Sequence, residues 1–333
     1  KASLILISIF FVTLGYSQEI HPPDEIFKIM SDSKISYEIK LFDKKIECVD
    51  YLDKLNNRDS YRDSNDSGLF TYALSPNEMA KPLFKKAENF FQLNNKDSAL
   101  VYYQKCLSID STLSNVMTYI GQIYGIKGDY EKAIMWYKKA IKTNYIDYMA
   151  HWFLADAYMK KNDIKNAINE IVIAQILNRN NPRIKNSMTI IFEKAKRNSI
   201  DWCFNPQIEL NQNPDSSINV AFNENWTGYA MAKALWAYEP GYSESMGVSA
   251  GQYSTLEDKE CLIVLLIGLE NAKTNTKKDP QLQILKEALK NKQLDSYILY
   301  EIVLPKMPNV AYQLPEDVIL NIKDYILETR NPK

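Results

Sequence analysis

A chain of 333 residues with 40 Lys and Arg against 41 Asp and Glu carries a formal net charge of −1, so it has no excess charge to spread over a nucleic-acid or acidic-lipid surface. Its 46% hydrophobic and 24% charged residues exclude a disordered or low-complexity chain and are enough to build sizeable cores. Length makes two domains the expectation, because single cores stop growing near ~250–300 residues.

The chain opens on Lys1, then the apolar run LILISIFFVTLG, then Tyr16-Ser17-Gln18. A basic start, about a dozen apolar residues and the small-x-small site Gly15-Tyr16-Ser17 predict a secretory signal peptide over 1–17, cleaved after Ser17. The expected location is the periplasm or cell envelope, or outside the cell. An uncleaved anchor is the alternative, and the run is shorter than the ~20 residues a spanning helix needs. No Cys follows the run, so a bacterial lipoprotein anchor is not expected.

Residues 18–80 read as a mixed N-terminal cap segment. After Pro22-Pro23, Asp24 to Met30 starts as a short helix, and Ile35 to Phe42 (ISYEIKLF) alternates like a strand. The polar run from Asn56 to Ser67 reads as a loop, and Gly68 to Leu74 as another short strand. Asp63, Asn65 and Asp66 hint at a calcium loop, but the Gly at its sixth position and the Glu at its twelfth are missing, so a solvated loop is expected.

From 81 the chain repeats itself with a fixed period: Ala99, Ala133 and Ala167; Cys106, Ala140 and Ala174; Phe90, Tyr124 and Tyr158; Ala87, Gly121 and Ala155. In the middle copy, Met117, Ile120, Gly121 and Tyr124 fall at i, i+3, i+4 and i+7 and share one helix face. Tyr130, Tyr137 and Ala140 face the same seam from a second helix. Gly121 and Ala133 are small where the backbones approach, and Gly128-Asp129 supplies a helix stop and a capping side chain. Pro182 to Asn198 adds half a copy, with Ile184, Met188, Ile191, Phe192 and Ala195 on one side to cover the exposed edge of the third. This pattern closely resembles the tetratricopeptide repeat family over roughly 81–180, extending to about 198. The copies depart from it at Lys86, where the middle one has Ile120, at Asn162 for Gly128, and at His151, where the family often has Trp. The expected fold is mainly α: a tetratricopeptide-type α-α superhelix of about three repeats plus a capping helix over 81–200, then a mostly helical C-terminal domain with a β-hairpin.

The resemblance implies a binding scaffold whose ligands lie along the concave face of the first helix of each pair. Carried over by position, that face holds Phe84, Glu88 and Phe91; Asn115, Thr118 and Gln122; Trp152, Asp156 and Met159; and, beyond the third pair, Arg183 and Asn186. Some family members grip a C-terminal carboxylate with Lys, Arg and Asn at these places. Here Phe84, Thr118 and Trp152 occupy central ones, so a hydrophobic peptide or partner helix is the implied ligand. The groove is either open or filled by the chain's own N-terminal or C-terminal segment.

A second domain is expected over 201–333. Gln207 to Phe222 reads as a hairpin, QIELNQ and SINVAF about the turn Asn213-Pro214-Asp215-Ser216. Trp226 to Tyr242 is the most aromatic stretch, with Tyr229, Ala232, Lys233 and Trp236 at helical spacing up to the break at Glu239-Pro240-Gly241. Such aromatics form either core or a stacking platform. In the second case Trp226, Tyr229, Trp236 and Tyr242 make a glycan-binding or peptide-binding envelope protein the alternative function, in the manner of exported starch-utilisation proteins that carry these repeats. Glu257 to Asn271 contains CLIVLLIGL, too short to span a bilayer and read as a buried helix. Helices are expected over Gln281–Asn291, Leu294–Leu304 and Glu316–Thr329, punctuated by Pro280, Pro305, Pro308 and Pro315.

Little in the sequence suggests chemistry. His21 and His151 are the only histidines, which excludes a multi-histidine zinc site and leaves no His-based triad. There is no glycine-rich phosphate loop and no nucleophile elbow. Glu239, Glu244, Glu257, Asp258 and Glu260 supply carboxylates without a spacing that singles out a pair. Cys48, Cys106, Cys203 and Cys261 form no CxxC, and a chain this long needs no staples, so four structural free thiols are expected, with Cys106 buried in the helix seam. The expectation is a scaffold without catalysis, cofactor or metal.

Overall fold

A computed structural model describes residues 20–49, 51, 60–65, 68–73, 75–199, 202–274, 276 and 279–333. The expected signal peptide, residues 1–17, lies outside the described residues. In chain order the elements are α1 (Pro23–Asp32), β1 (Tyr37–Leu41), β2 (Ser60–Asn65), β3 (Gly68–Ala73), α2 (Lys81–Gln92), α3 (Lys96–Ile109), α4 (Ser114–Ile126), α5 (Tyr130–Thr143), α6 (Tyr148–Lys160), α7 (Ile164–Leu177) and α8 (Pro182–Lys194). They continue with β4 (Ile208–Gln212), β5 (Ile218–Phe222), α9 (Thr227–Tyr238), α10 (Tyr242–Ser245), α11 (Thr255–Asn271), α12 (Pro280–Lys290), α13 (Leu294–Tyr297), α14 (Leu304–Lys306) and α15 (Glu316–Tyr325). The architecture is mainly α, as expected. It divides into two compact units: the chain up to Val49 with Cys203–Lys286, and Asp50–Trp202 with Glu287–Lys333.

In the second of these units, the pairs α2/α3, α4/α5 and α6/α7 repeat one construction, and α8 follows as a half-pair. Asn94, Gly128, Asn162 and Lys196, each one period after the last, all end their helices at positive φ, of 59, 80, 59 and 52°. The next residue in each case sends its N–H back to a helix carbonyl: Asn95 to Phe90, Asp129 to Tyr124, Asp163 to Tyr158 and Arg197 to Phe192. Asn at 94 and 162 fills a left-handed position that Gly takes at 128, because a short polar side chain tolerates it. Asn95, Asp129 and Asp163 then cap α3, α5 and α7 by accepting from Ser98 N–H, Lys132 N–H and Asn166 N–H.

The seam positions are closed as their sizes require. Ala87, Ala99, Ala133, Ala155, Ala167, Cys106, Ala140 and Ala174 are all fully buried. A Cβ on Gly121 would stand 2.6 Å from Cε1 of Tyr137, so the ring of α5 lies directly on the α4 backbone. The Cys106 thiol is pushed up to about 11 by burial and is inert filler, as expected.

Helix α7 shows why the C-terminal residues join the repeats. Every residue from Ile171 to Asn178 is buried, so the helix has two apolar sides to cover. One meets α6 and α8; the other meets α15 and the 3₁₀ turn Pro308–Gln313. Beside them, widened π turns follow α13 at Ile298–Val303 and α15 at Ile326–Arg330. These turns hold the buried Glu301 carboxylate, which accepts from Arg330 Nε at 2.7 Å and the Tyr325 hydroxyl at 3.0 Å. Arg179 of the third repeat adds a contact at 3.6 Å. The β2/β3 hairpin belongs to this unit too: Asn144 donates to the Ser60 carbonyl at 2.8 Å, and Arg62 to the Leu314 carbonyl. Residues 60–65 are therefore a strand within the run expected to be a loop; backbone pairing with β3 from Ser60↔Ala73 to Asn65↔Gly68 outweighs their polar composition.

In the other unit, β5 is the buried central strand of a sheet ordered β1-β5-β4. β4 and β5 form the expected antiparallel hairpin, and β1 lies parallel to β5 from Tyr37↔Ile218 to Leu41↔Phe222. Helices α1, α9 and α11 pack together, and α9 covers β5. At Gly228 a Cβ would meet the Val264 carbonyl oxygen at 2.7 Å, which brings α9 hard against α11. The chain passes from one unit to the other at 49/50, 202/203 and 286/287, so a change falls near 200 but none near 80. Parallel pairing draws part of the N-terminal segment to a strand that lies beyond all the repeats in the chain, while α13 to α15 go to the repeats.

The expectation of four free thiols is corrected: Cys48 and Cys203 form a disulfide with Cα atoms 6.4 Å apart, and Cys106 and Cys261 remain free and buried. The register of β1 with β5 places the two together. Gln207 Oε1 accepts from Ile46 N–H at 2.7 Å, and Asn205 Nδ2 donates to the Ile46 carbonyl at 2.5 Å.

Candidate functional site

The first helices of the pairs, α2, α4 and α6, with α8 after them, carry the eleven residues that the sequence places on a concave face. These residues divide into three environments. Asn115 and Thr118 are closed, at 5% and 2% exposure. Thr118 donates to Asp147 Oδ2 at 2.7 Å, and Asp147 in turn caps α6 by accepting from the N–H groups of Met149 at 3.1 Å and Ala150 at 3.0 Å. Burial pushes the Asp147 carboxyl up, against the pull of these hydrogen bonds. The chain's own segments run beside this end: the hairpin reaches Asn144, and Tyr312 of the 3₁₀ turn interacts with Asp147 and Tyr148. Asn115 and Thr118 therefore do not offer their side chains to a ligand.

Phe84 and Glu88 are half-buried and engaged. The Phe84 ring packs with Tyr103 and Tyr119 at 6.3 and 6.4 Å, and Glu88 accepts the Tyr103 hydroxyl. Phe91 is half-buried under the Lys96 ammonium, 3.5 Å from the ring centroid.

The remainder is more open. Gln122, Trp152 and Met159 are half-exposed, and Asp156, Arg183 and Asn186 exposed. Trp152 Nε1 donates to Ser187 Oγ at 3.0 Å, which orients the indole across α6 and α8, and its ring stacks on Phe153 at 5.6 Å. Asp156 lies one helical turn after Trp152 and just under one turn before Met159. Surrounding protein takes enough water from its carboxyl to push it up to about 6, with Lys160 opposing the shift. The sequence reading missed Ile190, which stands one period after Asp156 on α8 and is 53% exposed. The same spacing that produced the other positions could have found it.

The aromatic alternative loses its surface. Trp226, Tyr229, Trp236 and Tyr242 are 1, 3, 9 and 4% exposed and form core. Trp236 Nε1 and the Tyr242 hydroxyl both donate to Glu260 Oε2, at 2.6 and 2.9 Å. Glu260 is itself fully buried and also receives the His21 backbone N–H at 3.0 Å. Asp258 accepts the Tyr253 hydroxyl at 2.5 Å, and Lys233 meets Glu257 at 2.6 Å. The ring nitrogens of His151 are taken by Glu170 and the Tyr145 carbonyl. Among the described residues no three His, Cys, Asp or Glu side chains gather as a metal site, and no helix is long and apolar enough to cross a membrane.

Residues 80–113 and 116–145 match the family described as Tetratricopeptide repeat. Solved structures similar to the chain include the first TPR of Spaghetti (RPAP3) bound to an HSP90 peptide, at 19% identity over 35% of this chain and 93% of that one, with a TM-score of 0.34. The translocator chaperone SycD of Yersinia enterocolitica matches at 20% identity over 36% and 96%, TM-score 0.34. YrrB, a TPR protein with an unusual peptide-binding site, matches at 18% identity over 63% and 92%, TM-score 0.33. No curated protein matches the chain.

Proposed function

We propose that this tetratricopeptide-repeat protein is an exported, non-catalytic scaffold that holds a protein or peptide partner in the concave groove of its repeats. The observation that carries the reading is the open half of the groove. Trp152, Met159, Gln122 and Ile190 leave apolar and amide surface accessible, while Thr118, the equivalent of Trp152 one repeat earlier, is closed. Accessible apolar side chains in one row are the anchors a peptide or an amphipathic helix uses. Export is supported by the apolar N-terminal run and by the Cys48–Cys203 disulfide, since such bonds persist in oxidising compartments. Absence of catalysis is supported by the engagement of His151, Asp258 and Glu260 in internal hydrogen bonds.

The test is affinity capture from the native cell envelope with the full chain, set against a Trp152→Ala, Gln122→Lys variant whose helix content is verified by circular dichroism. A partner retained by the first and lost by the second supports the groove. The same proteins from both baits would place the working surface elsewhere.

A further inference from the structure

We propose that Asp156 sets the chemistry of the partner: the groove selects a peptide segment bearing a lysine or arginine among apolar side chains. This rests on the groove reading above. Asp156 stands between Trp152 and Met159 on α6, with exposed Ile190 at the equivalent place on α8. Glu88, the equivalent residue of the first repeat, is already bonded to the Tyr103 hydroxyl. Asp156 has neither a hydrogen bond nor an ion pair among the described residues; Lys160, one turn on, acts on it only at longer range. The groove thus presents an accessible carboxylate, partly stripped of water and flanked by apolar surface, without the cation that would complete it. An ammonium or guanidinium supplies both charge and N–H donors to such a group, and a hydrogen bond between ions is about twice as strong as a neutral one. A partner's acidic terminus would meet like charge here, which disfavours it.

The experiment uses the full chain and three pools of short synthetic peptides of equal length. Their flanks are randomised among Leu, Ile, Phe, Met, Ala, Ser and Asn, and their central residue is Lys, norleucine or Glu. The wild type is expected to retain the Lys pool about tenfold better than the Glu pool, as a partly desolvated charge contact allows. Asp156→Asn is expected to abolish that preference and Asp156→Lys to reverse it, each with an unchanged circular dichroism spectrum. Equal retention of all three pools by the wild type, together with weaker retention by Trp152→Ala, would leave the groove standing and overturn the charge selection. If Trp152→Ala and Ile190→Ser retain peptides as the wild type does, or the wild type retains none, the groove reading fails and this inference with it.

Discussion

Helices α4 and α6 are copies of one position in the repeat, and they meet opposite fates. Thr118 and Trp152 are equivalent, one period apart, yet Thr118 is sealed against Asp147 while Trp152 is half-exposed. The repeat fixes the direction in which a side chain leaves its helix. Whether that direction ends in solvent depends on what else the chain lays nearby, here the hairpin at Asn144 and the 3₁₀ turn at Tyr312. Periodicity therefore defines a set of candidate contacts, and non-local packing removes some of them.

The comparison can be broken at its closed end. Asp147→Ala should cost about 2–3 kcal/mol, because it removes a helix cap, leaves the buried Ala150 N–H without its acceptor and takes from Thr118 its shorter hydrogen bond. Asn181, which caps α8 at the equivalent place by accepting from Arg183 N–H at 3.0 Å, should cost only about 1 kcal/mol when changed to Ala. Urea unfolding of both variants gives the difference; equal costs would mean that Asp147 does not hold this end shut.

Two glycines of α4 sharpen the point within one helix. Gly121→Ala drives a methyl into the Tyr137 ring and should destabilise by about 1–3 kcal/mol. At Gly125 the new Cβ meets its nearest neighbour, the Tyr137 hydroxyl oxygen, at an ordinary 3.5 Å. Gly125→Ala should therefore gain up to ~1 kcal/mol from helix propensity, measurable as a rise in melting temperature.

The smallest effect belongs to the open end. The Asp156 carboxyl, at about 6 against an ordinary 3.8, holds its proton better folded than unfolded, so it penalises stability increasingly as pH rises from about 4 to 6. The charged or titratable groups that act with it are Lys160 on its own helix and the Tyr137 hydroxyl of α5. Asp156→Asn should match the wild type near pH 4 and exceed it above pH 6. The gain is under ~1 kcal/mol because the carboxylate is solvent-exposed. Chemical denaturation at pH 4 and pH 7 tests this, and a gain confined to pH 4 would reverse the assigned sign.

What was legible in the sequence is local. Small residues at 99, 133 and 167 and the turn at 94, 128 and 162 are dictated by contacts within or between adjacent helices, so the repeat period exposes them. The concave positions were legible as directions, but the closure of Asn115 and Thr118 was not, because it depends on segments distant in sequence. The run IVIAQIL in α7 did hold a clue: with no polar stripe, it needed cover on a second side, which α15 supplies. The strand at 60–65 was hidden because SYRDSN has a polar composition and owes its form to pairing with β3. The Cys48–Cys203 bond was hidden because nothing near either residue indicates that β1 pairs with β5.

That disulfide closes a ring of chain around residues 49–202, which include all of the helix pairs and the half-pair α8. A single proteolytic cut anywhere in the ring leaves both pieces joined through sulfur. Outside a reducing environment the scaffold can be nicked without shedding its repeats, and the cut shows on a gel only after thiol is added.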